Sequence, residues 1–157
     1  MRLFPALSDY NERDIPSWSN FSSPWEIFSD SGDGLISQIS EISGGVDGVF
    51  IHPSAKIGEF VVIEGPCFIG PNAEIRHSAY LRSGCWICED ALVGHSTEVK
   101  NSILLPGAKA PHFNYVGDSI LGIGANLGAG AKLSNVRNDR GSVSIYTDEG
   151  SRIDTGM

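Results

Sequence analysis

The sequence predicts an all-β protein, a parallel β-helix of about five coils that follows a short N-terminal helical segment. Three observations predict it. An aliphatic residue recurs at nearly every sixth position from Ile51 to Leu133, a small residue usually stands two places before it, and glycine often follows it. Such a period is typical of a solenoid in which three hexapeptide units form one triangular coil of about 18 residues. The repeat residues are Ile51, Ile57, Ile63, Ile69, Ile75, Leu81, Ile87, Val93, Val99, Leu104, Ala110, Val116, Leu121, Leu127 and Leu133.

The repeat also predicts which side chains lie inside the coil. Alternate residues of a strand point to the same side, so the aliphatic residue and the small residue two places before it face inward together. Cys67 and Cys85 occupy the small position, which predicts buried, reduced thiols. Cys88 follows a repeat residue, and nothing marks it as reactive. Asn114 also occupies the small position, where we expect it to hydrogen-bond the backbone of the coil.

Residues 1–48 do not follow the repeat and are interpreted as an irregular or helical segment. Ser23, Pro24 and Glu26 indicate a helix start, with an N-cap serine, a proline in the first turn and then an acid. A Ser-Gly-Asp-Gly run at 31–34 interrupts the apolar positions that follow. We expect one or two short helices packed on the first coil or on its open end, with a hinge at Gly44-Gly45.

The β-helix itself is predicted to span residues 49–135, and residues 136–157 are expected to form a loop or extended excursion. Within the excursion, residues 143–146 have the pattern of a strand and are followed by a turn-like run. The last coil of a β-helix exposes strand edges unless something covers them. We therefore expect either a truncated solenoid or an end covered by another subunit.

The charge and hydropathy of the sequence argue against two classes of binding partner, nucleic acids and membranes. The formal net charge of −8 argues against non-specific binding to nucleic acid or to an anionic membrane. The sequence contains no apolar run of about 18 residues and no apolar core of a signal peptide. These features predict a cytoplasmic protein with neither a nucleic-acid partner nor a membrane partner.

The coil length places polar residues of successive coils above one another. His77, His95 and His112 each stand two residues after a repeat residue and are predicted to form a ladder along one edge. Arg82 and Lys100 each follow a repeat residue and are predicted to stack on the next face. A cation pair beside a histidine ladder suits a phosphate-bearing small molecule that approaches a general base.

The segment 98–135 carries a more specific series of motifs. It contains a Glu-Val-Lys run at 98–100, a Lys-Ala-Pro-His-Phe-Asn-Tyr-Val-Gly-Asp block at 109–118, an Asn-Leu-Gly-Ala-Gly block at 126–130 and then Asn135. This series resembles the C-terminal acetyltransferase domain of the bifunctional N-acetylglucosamine-1-phosphate uridyltransferase/glucosamine-1-phosphate acetyltransferase. Pro111 stands where the family has glycine. The resemblance covers about residues 50–135 and implies a left-handed coil.

The resemblance implies an activity and an assembly. The activity would be acetyl-CoA-dependent N-acetylation of an amino-sugar phosphate, most simply glucosamine-1-phosphate, in UDP-N-acetylglucosamine biosynthesis. The family forms homotrimers, with the site in a groove between subunits. The family has a lysine in the loop where this chain has Asn138-Asp139-Arg140, so the contact made by that lysine is not expected here. The chain contains no Gly-rich, Arg-containing nucleotide loop, so uridyl transfer is not expected either.

The resemblance also assigns roles to individual residues. His112 would take a proton from the sugar amine as the amine attacks the thioester, and Asn135 would help to place the two reacting groups. The backbone of Ala129 would face acetyl-CoA. Asn126 would hold the sugar near its amine. The residues that would bind the sugar phosphate are Arg82, Lys100 and Tyr115.

Two alternatives stay open beside this function. Many sugar-phosphate nucleotidyltransferases carry a similar β-helix tail, so the chain could be a non-catalytic module for trimerisation or regulation. An acyltransferase for a different amine is a further alternative. A metal site is not expected, because β-helical carbonic anhydrases bind zinc with two histidines five residues apart, and none of the 4 histidines here has that spacing.

Overall fold

The computed structural model describes residues 14–134, 136–147 and 149–157. A 3-10 helix (Pro24–Phe28) and the helix α1 (Leu35–Ser43) come first, and short strands follow. The strands are β1 (Val49–Ile51), β2 (Lys56–Ile57), β3 (Val62–Ile63), β4 (Cys67–Ile69), β5 (Glu74–Ile75), β6 (Tyr80–Leu81), β7 (Cys85–Ile87), β8 (Leu92–His95), β9 (Glu98–Lys100), β10 (Ser102–Leu104), β11 (Lys109–His112), β12 (Tyr115–Gly117), β13 (Ile120–Leu121), β14 (Lys132–Leu133), β15 (Ser144–Tyr146) and β16 (Arg152–Asp154).

The first fourteen strands form three parallel sheets that wind around one axis. Sheet A has the order β1-β4-β7-β10-β13, sheet B has β2-β5-β8-β11, and sheet C has β3-β6-β9-β12-β14. A bridge between Lys109 and Asn126 continues sheet B into the last coil. The predicted parallel β-helix of about five coils is therefore confirmed, while its left-handed sense stays a prediction.

The register explains how the solenoid tolerates a five-residue step. Cys85 pairs with Cys67 in the coil before it and with Ser102 in the coil after it. The step before Leu104 thus shortens one coil by a residue, and the inward positions stay aligned because Leu104 still pairs with Ile87. Inward alignment is what keeps one continuous core in a solenoid.

The interior of the coils is the main core, as the repeat predicts. Cys67 and Cys85 are fully buried there, which confirms the prediction of buried thiols. Burial raises the pKa of the Cys67 thiol to about 12 and that of Cys85 well above its ordinary value. Asn114 is 2% exposed, and its amide donates to the backbone oxygens of Gly128 (2.8 Å) and Ala131 (3.3 Å), so it links two coils as expected.

The corners between sheets B and C place one residue of each coil in the left-handed backbone region. These residues are Phe60, Ser78, Ser96, Phe113 and Gly130, with φ values of 57°, 60°, 49°, 50° and 75°. A bulky side chain is disfavoured in this region. Phe60 and Phe113 are nevertheless present, and they project outward with 82% and 54% exposure.

The N-terminal segment packs against the outer face of sheet A. Ile27, Leu35 and Ile39 form a second core with Phe68, Trp86 and residues near them. The Trp86 indole Nε1 donates to the backbone oxygen of Asp14 over 3.1 Å. Two short helices are present as predicted, but their packing extends beyond the first coil to β7 and β10, because the outward face of sheet A is also apolar.

The remaining described elements complete the chain. The predicted strand at 143–146 is present as β15, and it pairs with β16 in an antiparallel hairpin. The thiol of Cys88 is buried in the second core, and burial raises its pKa. Neither helix within the described ranges is long enough and apolar enough to cross a membrane.

Candidate functional site

The outer face of sheet C brings the two predicted cations together. Leu81 pairs with Val99, so Arg82 and Lys100 are neighbours on adjacent strands, and Lys100 in turn pairs with Gly117. Strand neighbours lie about 4.8 Å apart, so the two side chains can reach one ligand. We call Arg82 and Lys100 the cation pair.

Each cation already has an acidic partner. The Arg82 Nη1 donates to Glu98 Oε1 over 3.1 Å, and the Lys100 Nζ lies 3.5 Å from Asp118 Oδ2. The hydrogen bond that Arg82 donates to the Glu98 carboxylate raises the pKa of the Arg82 guanidinium. An anionic ligand on this face must therefore compete with two carboxylates, which sequence reasoning did not foresee.

Tyr115 lies in the middle of the same face. It is half-buried, and it pairs with Glu98 on one side and with Lys132 on the other. A side chain at Gly117 would collide with it, because an added Cβ would lie 2.7 Å from the Tyr115 ring. The glycine thus leaves room for the tyrosine to lie along the face beside Lys100.

Two further polar residues extend this face and were missed from the sequence. The Tyr80 hydroxyl donates to Glu64 Oε1 over 2.6 Å, and that hydrogen bond raises the pKa of the Tyr80 phenol. Lys132 donates from its Nζ to the backbone oxygen of Phe113. The signal that could have found them is their spacing of one coil, Tyr80 from Glu98 and Lys132 from Tyr115.

His112 ends β11 at the corner between sheets B and C. Its backbone nitrogen donates to Asn114 Oδ1 and its backbone oxygen accepts from Gly130 N, each over 2.9 Å. The side chain is exposed, which leaves the imidazole accessible to a ligand. Two hydrogen bonds therefore fix the backbone of His112, while its imidazole stays accessible.

The predicted histidine ladder is only partly formed. The rings of His77 and His95 stack with a centroid distance of 4.1 Å. The ring that meets His95 from the next coil is that of Phe113, edge-on at 4.9 Å, although His112 pairs with His95 in the strand register. Within the described parts of the chain, no group of three histidine, cysteine or acidic side chains could hold a metal ion.

The other predicted residues lie on the last coil or outside the described ranges. Asn126 is exposed and is bridged to Lys109 on sheet B. Ala129 is exposed and directly precedes Gly130, whose nitrogen donates to the His112 oxygen. Asn135 lies outside the described residues. The structure thus places Ala129 beside the His112 corner, while the cation pair lies at the opposite end of the strands of sheet C.

Comparison with known proteins relates this chain to sugar-phosphate enzymes. Residues 63–150 match the family described as the GMPPB C-terminal domain. A relative from Methanococcus maripaludis strain C7, bifunctional protein GlmU, is 45% identical over 129 residues, which cover 78% of this chain and 31% of the relative. The bifunctional sugar-1-phosphate nucleotidylyltransferase/acetyltransferase of Sulfurisphaera tokodaii is 42% identical over 59 residues, which cover 38% of this chain and 14% of that protein.

The two alignments cover a third or less of each relative's length. The family match, in contrast, takes in more than half of this chain, and it includes the Glu-Val-Lys run and the block around His112. The chain therefore belongs to the GMPPB C-terminal domain family and is related to the bifunctional sugar-phosphate nucleotidyltransferase/acetyltransferases.

Proposed function

We propose that the chain is an acetyl-CoA-dependent N-acetyltransferase that acts on an amino-sugar phosphate, most simply glucosamine-1-phosphate, in cytoplasmic UDP-N-acetylglucosamine biosynthesis. The observation that carries this proposal is that the cation pair and exposed His112 lie at the two ends of the same outer face, sheet C, with His112 at the corner where sheet B meets it. Two adjacent cations suit a phosphate, and an accessible imidazole suits a general base near neutral pH.

In this proposal the cation pair and Tyr115 hold the sugar phosphate on sheet C. Asn126 holds the sugar near its amine, and Asn135 helps to place the amine against the thioester. Phosphate oxygens are strong acceptors for guanidinium and ammonium donors, so a bound phosphate replaces Glu98 at Arg82 and Asp118 at Lys100. Binding thus exchanges partners on charges that are already half-exposed.

The chemical step is an acyl transfer from sulfur to nitrogen. The amine nitrogen attacks the thioester carbon, and the imidazole of His112 takes the proton that the nitrogen loses. A carbon–nitrogen bond forms, the carbon–sulfur bond breaks, and the proton passes on to the leaving thiolate to give free coenzyme A. Acetyl-CoA is the acyl donor, and the backbone of Ala129 faces it.

The proposal includes a homotrimer with the site between copies. Sheet A is covered on its outside by the N-terminal segment, whereas Phe60 and Phe113 at the corner between sheets B and C are exposed. A second copy would therefore meet sheets B and C, where the proposed site lies. Sedimentation of the chain tests this part, and a monomer that turns over substrate would contradict it.

A coupled test of the function is the release of coenzyme A thiol from acetyl-CoA, with and without glucosamine-1-phosphate. The expected result is thiol release that depends on the amino-sugar phosphate, with N-acetylglucosamine-1-phosphate as product. Thiol release with another amine alone would indicate the alternative acyltransferase. Binding of the sugar phosphate without thiol release would contradict acetyl transfer by this chain.

One observation favours a second candidate function. Because Glu98 and Asp118 already neutralise the cation pair, these ion pairs can serve to stabilise the face rather than to bind a ligand. The chain would then be a non-catalytic trimerisation or regulatory module of a protein that resembles a sugar-phosphate nucleotidyltransferase. A trimer that binds neither acetyl-CoA nor glucosamine-1-phosphate in calorimetry is the result that this candidate expects.

A further inference from the structure

A cavity of about 610 Å³ lies on the side of the β-helix where sheet C turns into sheet A. One wall comes from the 3-10 helix, with Trp25 and Phe28. The opposite wall comes from the C-terminal hairpin and the residues after it, with Ile145 and Met157. The floor is the corner itself, with Asp118 and its neighbours. We call this cavity the corner cleft.

The corner cleft has the make-up of a small-molecule site. Its volume falls within the range of about 300–1,000 Å³ that is usual for such sites, and they combine apolar walls with a few placed polar groups. Two half-buried aromatic residues, Trp25 and Phe28, line one wall, and aromatic side chains are suited to packing against a planar ring. Asn101 and Asp118 supply the polar floor, where the Asn101 Nδ2 donates to Asp118 Oδ1 over 2.7 Å.

The corner cleft adjoins the cation pair through Asp118, although neither Arg82 nor Lys100 lines the cleft itself. Asp118 lines the cleft, and its other carboxylate oxygen lies 3.5 Å from the Lys100 Nζ. Lys100 neighbours Arg82 on the adjacent strand of sheet C. A ligand whose ring occupies the cleft can therefore place negatively charged groups at Lys100 and Arg82 without leaving the surface.

We propose that the corner cleft and the cation pair together bind a nucleoside diphosphate, with the base against Trp25 and the two phosphates at Lys100 and Arg82. Base stacking needs an exposed aromatic face, and two phosphates match two cations on adjacent strands. This inference rests on the proposed function in one respect, the use of the cation pair as phosphate ligands. It implies that a nucleoside diphosphate competes with the sugar phosphate for the same cations.

The test is calorimetric titration of the full chain with UDP and with GDP, followed by the same titrations on two matched tryptophan variants. Trp25→Leu keeps apolar volume but removes the stacking face, and we expect at least tenfold weaker binding. Trp18 lies in the second core and donates to the Pro24 oxygen over 3.2 Å, outside the cleft lining. We expect Trp18→Leu to bind UDP and GDP within about twofold of the parent chain. The reason is that this substitution leaves the proposed stacking of the base on Trp25 in place.

A second variant guards against a folding defect in Trp25→Leu. Lys100→Ala keeps the cleft walls and should weaken UDP and GDP binding by a similar factor, whereas uridine without phosphate should bind both Lys100→Ala and the parent chain equally. Equal UDP binding by the parent chain and a folded Trp25→Leu variant would overturn the proposal. Binding of adenosine 3′,5′-bisphosphate but of neither UDP nor GDP would also overturn it, because the ligand would then be the nucleotide end of the acyl donor.

The outcome is separable from that of the proposed function. Thiol release with glucosamine-1-phosphate, together with no binding of UDP or GDP, would overturn the cleft proposal and leave acetyl transfer standing. Binding of UDP or GDP that depends on Trp25, in a chain that releases no thiol, would support the cleft proposal while acetyl transfer fails.

Discussion

Arg82 and Glu98 lie on adjacent strands of sheet C and share a hydrogen bond of 3.1 Å, so one of the two cations proposed to hold a sugar phosphate is neutralised in the free protein. Arg76 and Glu74 lie on the coil that carries Arg82, and they form a comparable ion pair at 2.9 Å with similar exposure. The first pair lies on the proposed site and the second does not, which gives a matched comparison.

Glu98→Gln should strengthen binding of glucosamine-1-phosphate by about two- to fivefold. The reason is that the ligand no longer competes with the Glu98 carboxylate for Arg82, and the gain is small because an exposed ion pair is weak. Titration calorimetry measures the effect, and Glu74→Gln, which frees Arg76 away from sheet C, should leave the affinity unchanged. Weaker binding by Glu98→Gln would show that the carboxylate contacts the sugar and does not compete with it.

The second core should contribute strongly to stability. Ile27 in the 3-10 helix is fully buried against the outer face of sheet A, so Ile27→Ala should cost about 2–5 kcal/mol in the free energy of unfolding. Ile36 lies in the same N-terminal segment but is 40% exposed, and Ile36→Ala should cost no more than about 1 kcal/mol. Urea unfolding measures both, and equal losses would mean that the segment does not pack as described.

The buried thiols should make the fold sensitive to alkaline pH. An unfolded cysteine loses its proton near pH 8.5, whereas burial raises the pKa of Cys67 to about 12 in the fold. Between these values the folded chain holds a proton that the unfolded chain has lost, so stability is full below about pH 8.5 and falls as pH rises, by about 1.4 kcal/mol per pH unit for one thiol.

Urea midpoints from pH 8 to pH 10.5 check this dependence. Cys67→Ala is a suitable variant, because alanine occupies the equivalent inward position at Ala73 and Ala79. The stability of Cys67→Ala should fall less steeply with pH than that of the parent chain, because the variant lacks one thiol whose pKa is raised by burial. Identical slopes in the two chains would contradict a raised pKa at Cys67.

The solenoid could be predicted because each coil repeats the same inward positions. The period alone places Arg82 beside Lys100 and Asn114 inside the coil, and the structure has both. The docking of the N-terminal segment could not be read from that period. It depends on the residues between the repeat positions, where Phe68, Trp86 and Ile103 give sheet A a second apolar face.

The repeat predicted which site residues stack above one another in successive coils, but it did not predict their side-chain contacts. The cations could be placed on one face, yet their ion pairs depend on side-chain directions that a repeat does not specify. Nothing in the repeat marks Phe113, because its approach to His95 arises from a left-handed backbone at the corner. The corner cleft lies between the 3-10 helix and the C-terminal hairpin, which are far apart in sequence, so no local sequence pattern predicts it.

The most direct test of acetyl transfer is the rate of coenzyme A thiol release with glucosamine-1-phosphate in His112→Ala, compared with His77→Ala. Both side chains are exposed, but only His112 is proposed to act as the base, while His77 stacks on His95. The expected result is a loss of about 100-fold or more in His112→Ala, with unchanged affinity for the sugar phosphate, and less than about a twofold change in His77→Ala. Full activity in His112→Ala would contradict the mechanism.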